Sequence, residues 1–117
     1  MTPTREELEL VAKVAGYEVE FQGDHCVFKQ MVGNASFRSY RSWLPASDPG
    51  DSRRLQVALN INLIHWHGEW YADAPGIEKN SICEDEADHP TPDIAACVAV
   101  FRCALAVAKE GRNANRT

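Results

Sequence analysis

The sequence predicts an α+β fold, with an antiparallel or mixed β-sheet of about five to six strands packed against three helices in a single-domain sandwich. Three observations lead there. The apolar period changes from helical to alternating and back as the chain is followed. Isolated glycines sit between neighbouring alternating runs, which is how short turns join antiparallel strands. The order helix, three strands, helix, two or three strands, helix lacks the strict strand and helix alternation of a parallel sheet. The domain is expected over residues 1–111, with a flexible C-terminal tail at 112–117.

Thr4 followed three residues later by Glu7 is a capping-box signature, with Glu6 and Glu7 where the helix dipole favours acids. The helix runs to about Ala15. Leu8, Val11, Ala12 and Ala15 share a face, Leu10 and Val14 widen it, and Gly16 is a ready stop. From Tyr17 the period is two: Tyr17, Val19 and Phe21 alternate with Glu18, Glu20 and Gln22. Gly23-Asp24 turns the chain into a second run, His25 to Val32. After Gly33-Asn34 a third strand is expected from Ser36 to Trp43.

A second helix opens at Pro49, whose missing N–H is harmless at the first helical position, with Asp48 or Ser47 as cap and Asn60 as stop. Leu55, Ala58 and Leu59 form its expected buried stripe, with Arg53, Arg54 and Gln56 outside. Ile61 to His67 alternates, placing Ile61, Leu63, His65 and His67 on one side and Asn62, Ile64 and Trp66 on the other. Gly68-Glu69 is expected to turn the chain, Trp70 to Ala74 to return, and Ile77 to Glu84 to form a last strand. The acidic run Glu84 to Asp88 is expected to face solvent. Thr91-Pro92-Asp93 opens the third helix, which is expected to end at Gly111. Its core stripe is Ile94, Cys97, Val98, Phe101, Leu105 and Ala108. Ala95, Ala99 and Ala106 form a smooth flank, and Cys103 is expected on the half-exposed side. That flank suits either a second copy, giving a homodimer, or the first helix.

Seventeen acids against twelve bases, a net charge of −5, exclude broad, non-specific attraction to nucleic acid or to an anionic membrane. No apolar run approaches the roughly 18 residues needed to span a bilayer, and the N-terminal segment MTPTREELEL lacks a signal-like apolar core, so a cytoplasmic setting is expected. Cys26, Cys83, Cys97 and Cys103 form no C-x-x-C pair and are expected to stay reduced as small apolar groups.

Candidate chemistry begins with His65-Trp66-His67-Gly68-Glu69-Trp70. Two histidines on one strand face would converge on a metal if Glu69, Asp73, Cys83 or His89 supplied a third ligand; otherwise the segment is a hairpin. The chain has no G-x-S-x-G nucleophile elbow, and its glycines are scattered rather than gathered into a phosphate loop. No catalytic residue, metal or cofactor is therefore assigned. A second constellation is Arg38, Tyr40, Arg41, Trp43, Arg53 and Arg54. Arginine forks take phosphates and aromatics stack on bases, so these six are the candidate ligand-binding residues for a nucleotide. The alternative is a solvated face in which Arg53 and Arg54 pair with Asp51 and its neighbours. The acidic run, joined by Asp93, either imitates a phosphate backbone or is an ordinary solvated loop.

Trp43-x-Pro45-x-x-Asp48-x-Gly50-Asp51-x-x-Arg54-Leu55, followed by strands and an Ala-rich closing helix that starts at Pro92, resembles the small phage-encoded proteins grouped as the phage ABA sandwich domain. The resemblance is strongest over residues 43–59 and 90–111, and the chain departs from the usual form at Leu44, where Asn is common. It implies a phage or prophage accessory protein in a bacterial host cytoplasm, and it transfers no catalytic residue. With the acidic balance, it favours a non-enzymatic protein acting by binding a host protein, such as an inhibitor of a defence or regulatory component. The alternatives are a module sequestering a nucleotide signal and a metal-dependent hydrolase using His65 and His67.

Overall fold

The computed structural model describes residues 1–31, 38–39, 42–75, 77 and 81–114. Among these, the elements follow as α1 (Arg5–Ala15), β1 (Val19–Gln22), β2 (His25–Phe28), β3 (Gln30–Met31), β4 (Arg38–Ser39), α2 (Pro49–Leu59), β5 (Asn62–Trp66), β6 (Glu69–Asp73), β7 (Ile82–Asp85) and α3 (Pro92–Ala114). A 3-10 turn, Glu86–Asp88, precedes α3. The α+β class and the three helices match the sequence expectation, but four short strands rather than three lie between α1 and α2, and every described pairing is antiparallel. The strands do not form one sheet. They form the pairs β1-β2 and β3-β4 and a three-stranded sheet in the order β5-β6-β7.

Local rules account for the first half. The Thr4 hydroxyl accepts from the Glu7 N–H at 3.1 Å, and the Glu7 carboxylate accepts from the Thr4 N–H at 2.8 Å, closing the capping box. Gly16 ends α1 in the left-handed conformation, φ 80°, which costs a glycine little. Gly23-Asp24 joins β1 to β2 with Gln22 opposite His25 and Val19 opposite Phe28. Half of the expected third strand, Ser36, Phe37, Tyr40 and Arg41, lies outside the described residues. Its end runs beside β2, where Ser42 bridges Val27 and the Trp43 N–H donates to the Cys26 carbonyl at 2.9 Å.

Two helical expectations need correction. On α2 the buried residues are Asp51, Ser52 and Leu55, while Ala58 is exposed. Asp51, Leu55 and Ala58 lie at i, i+4 and i+7 on one stripe, whose N-terminal end is buried where the Leu44 N–H meets Asp51 and whose C-terminal end is exposed at Ala58. α3 continues past Gly111 to Ala114. A glycine stops a helix only where it turns left-handed, and within a helix it costs about 1 kcal/mol against alanine.

The third correction concerns Cys103, which is fully buried, as are Ala95 and Ala99 of the supposed flank and Val100 and Ala104 beside them. α3 contacts α1 and α2 and also β6 and β7, so it is covered from both sides. The small-residue flank is thus occupied within the chain. Val11, Cys26, Trp43, Leu55, Ile61, Ala72 and Phe101 belong to one apolar cluster built around this helix.

Replacing the fully buried Phe101 by alanine should cost about 3–5 kcal/mol in urea-unfolding free energy. Burial pushes the thiols of Cys26 and Cys103 up to about 11 from an ordinary value of 9.0. Their contribution to stability is complete below pH 9 and is lost as pH rises towards 11, because the unfolded chain releases those protons first. Unfolding midpoints should fall across that window, less steeply in Cys26→Ala plus Cys103→Ala.

Candidate functional site

The segment leading into α2 is a set of internal contacts. Trp43 is 1% exposed, with Tyr17 edge-on at 5.8 Å and Phe28 tilted at 5.9 Å. The Leu44 N–H donates to Asp51 Oδ2 at 2.9 Å, and the Arg54 guanidinium donates to Asp51 Oδ1 at 2.8 Å. The Asp51 N–H in turn donates to Asp48 Oδ2 at 2.9 Å, the helix cap. Asp51 is buried, so its charge is tolerated because donors meet both oxygens. A Cβ at Gly50 would lie 3.2 Å from Asp48 Oδ2 and 3.3 Å from Arg54 Nη2, which explains a glycine inside this turn.

These contacts place three members of the expected nucleotide set, Trp43, Arg53 and Arg54. Trp43 offers no stacking face because the core covers it. Arg54 is committed to Asp51, and Arg53 is exposed on the same helix. Arg38 belongs to β4. Beside Trp43 lies a cavity of about 300 Å³ lined by Pro3, Leu8, His25, Cys26 and Pro45 among others, at the small end of ligand-sized clefts. The Trp43 Nε1 is buried without a hydrogen-bond partner.

The second half of the chain turns at His67-Gly68, one residue earlier than Gly68-Glu69. Both residues have positive φ, 52° and 73°, the requirement of a two-residue hairpin turn whose twist suits the strands, and Trp66 pairs with Glu69. His67 is therefore at the turn and does not share the strand face of His65. His65 Nε2 lies 2.7 Å from Glu86 Oε1 and its ring stacks on Trp70 at 4.3 Å. The Trp70 indole N–H donates to the same oxygen at 3.0 Å, and the Glu86 N–H donates to the Gly68 carbonyl at 2.9 Å. Glu86 thus clips the hairpin to the 3-10 turn. Glu84 likewise accepts from Arg102 and lies 2.8 Å from His89 Nε2. The acidic run is therefore partly tied down rather than wholly solvated. Among the described residues no three His, Cys, Asp or Glu side chains are grouped to hold a metal.

The register divides the three-stranded sheet into two faces. Leu63, Ala72 and Ile82 form one row, and His65, Trp70 and Glu84 the next, on the side that carries the buried Ala72 and the ties to α3. On the opposite face Ile64, Tyr71 and Cys83 form one row, and Trp66, Glu69 and Asp85 another, with Asn62 opposite Asp73. There Trp66 is 65% exposed and Ile64 61%. Glu69 Oε2 accepts from the Tyr71 hydroxyl and from the Cys83 thiol at 3.3 Å. The bond to Glu69, more than desolvation, pushes the Tyr71 hydroxyl up to about 12. Desolvation first, then Glu69, raises the Cys83 thiol. Among the described strand residues, this face carries three carboxylates, Glu69, Asp73 and Asp85, and no lysine or arginine.

Comparison with protein-family models, curated proteins and solved structures finds no match.

The alternation of Ile64 and Trp66 was visible in the sequence. Glu86 as the partner of His65 and Trp70 was not, because it arrives in the 3-10 turn that follows the pairing of β7 with β6, and Cys83, weighed as a metal ligand, instead donates its thiol to Glu69.

Asp51→Ala should cost about 2–4 kcal/mol by urea unfolding, since it removes a buried acceptor of charged hydrogen bonds, and Asp51→Asn should cost less. Of the four thiols only Cys83 is exposed, so a disulfide reagent should modify one thiol in the folded protein and the rest on unfolding. Glu69→Gln should quicken that reaction at pH 8, because removing the carboxylate lowers the thiol's pKa and raises its thiolate fraction.

Proposed function

We propose that this chain is a non-enzymatic binding protein and that the outer face of the β5-β6-β7 sheet is the surface that engages a partner protein. The observation that carries the reading is the exposure of Trp66 at 65% beside Ile64 at 61% on a regular, antiparallel sheet face. Tryptophan contributes more binding energy than most side chains when a partner covers it, and a neighbouring aliphatic group helps exclude water from that contact. Polar groups elsewhere are engaged internally: Asp51 with Arg54, Glu84 with Arg102 and His89, Glu86 with His65 and Trp70.

The resemblance of residues 43–59 and 90–111 to the phage ABA sandwich domain supports the setting. On that reading the chain is a phage or prophage accessory protein, its partner is a protein of the bacterial host, and the consequence of binding is inhibition of a defence or regulatory component in the host cytoplasm. The motif residues behind the resemblance serve helix α2 and its approach, so the resemblance informs the setting and not a reaction.

The test compares three immobilised proteins in bacterial lysate: the wild type, Trp66→Ala plus Ile64→Ser, and Val57→Ser, which removes an equally exposed apolar residue from α2. A host protein retained by the first and third but lost by the second is then purified and titrated calorimetrically. Trp66→Ala alone should weaken that complex by about 2 kcal/mol, roughly thirtyfold. A complex indifferent to both outer-face substitutions overturns the assignment of the surface.

A further inference from the structure

The geometry points to a specific partner chemistry: we infer that the outer sheet face takes an arginine side chain presented by a basic protein surface, with Trp66 as the platform and Glu69 and Asp85 as the carboxylates beside it. This deepens the preceding proposal and rests on its choice of surface.

Trp66 pairs with Glu69 and Glu69 with Asp85, so an indole and two carboxylates stand in one row across three strands. Adjacent strands lie about 4.8 Å apart, so the whole row spans roughly 10 Å, within the reach of one long side chain and its neighbours. His67 leans on the indole at 4.7 Å and 43°, yet Trp66 keeps 65% of its surface exposed. Glu69 is oriented through Oε2 by the Tyr71 hydroxyl and the Cys83 thiol, while Oε1 takes no part in those bonds.

Guanidinium combines the properties that this row asks for. It is flat and cationic, so it stacks on indole, and its N–H fork matches a carboxylate, whereas an ammonium offers only a compact charge. The methylene stem of such an arginine would lie along Ile64 in the next row. Among the described residues of this face no lysine or arginine competes, and the His67 imidazole beside the indole is the one basic group there. Arg102 is bound to Glu84 on the other side of the sheet, and His65 is turned to Glu86 there. The same three carboxylates that welcome a basic protein surface repel a phosphate backbone, which makes nucleic acid the wrong occupant.

Hexa-arginine and hexa-lysine peptides, titrated at low salt into isotopically labelled protein and followed by amide and indole N–H resonances, test this directly. Hexa-arginine should move the Trp66 indole signal and the amides of Trp66, Glu69 and Asp85. Its affinity should fall about three- to tenfold in Trp66→Ala and again in Glu69→Gln plus Asp85→Asn, and hexa-lysine should bind the wild type more weakly. Circular dichroism confirms that the surface variants remain folded. Equal binding of the two peptides together with indifference to Trp66→Ala, or shifts confined to the acids of α1 and the 3-10 turn, overturns arginine recognition. If the host-protein complex still depends on Trp66 in that event, the surface assignment stands and only the arginine chemistry is lost.

Discussion

Burial of α3 on two sides is the constraint to which the other elements conform. A helix can be covered by helices α1 and α2 and also by strands β6 and β7 only if its surface is smooth enough for close approach from both directions. Ala95, Ala99, Cys103 and Ala104 provide that smoothness, and Phe101 and Val98 fill the volume that remains. Because α3 occupies the middle, the β1-β2 hairpin and the β5-β6-β7 sheet are separate among the described strands. One face of the larger sheet meets the helix, and the other, carrying Ile64 and Trp66, is left outward.

A charged residue inside such a core must be justified by its partners. Asp51 is buried next to Trp43, but the Leu44 N–H and the Arg54 guanidinium each meet one of its oxygens. The arrangement joins the chain ahead of α2 to the helix itself and holds Trp43 against Tyr17 and Phe28. Polar chemistry here serves position. Glu86 and Glu84 work the same way at the other end of the molecule, fastening the hairpin and α3 to the acidic turn. What is left without such a task is the apolar, acid-flanked outer sheet face.

Features governed by neighbours in sequence were legible. The Thr4 and Glu7 box, the Gly23-Asp24 turn, the Asp48 and Pro49 start of α2 and the left-handed Asn60 all follow from local backbone demands. Features set by distant contacts were not. Asp51 is buried because a backbone N–H seven residues earlier meets its carboxylate, while Ala58, two turns along the same stripe, is exposed, and neither depth of cover is marked in the helix's own period. Cys103 is buried because α3 is covered twice, and a single amphipathic stripe gives no sign of a second cover. At the hairpin, the left-handed pair is His67-Gly68 where Gly68-Glu69 was expected to turn the chain, which shifts the turn by one residue and removes His67 from the face of His65. Within the candidate surface, the alternation of Ile64 and Trp66 was readable, while the row that joins Trp66 to Glu69 and Asp85 needs the register of three strands.

The position of α3 in the chain has a kinetic side. It follows every other described element, yet α1, α2, β6 and β7 all bury surface against it. Each hairpin and helix upstream can close its own short-range hydrogen bonds as it emerges during synthesis, and Trp43 can pack on Tyr17 and Phe28, but α1, α2, β6 and β7 cannot finish drying their apolar sides until α3 arrives. The nascent chain thus carries Leu55 and Ala72 incompletely covered until α3 is made. Its acidic, net negative character then matters before folding is complete, since mutual repulsion keeps such unfinished chains apart.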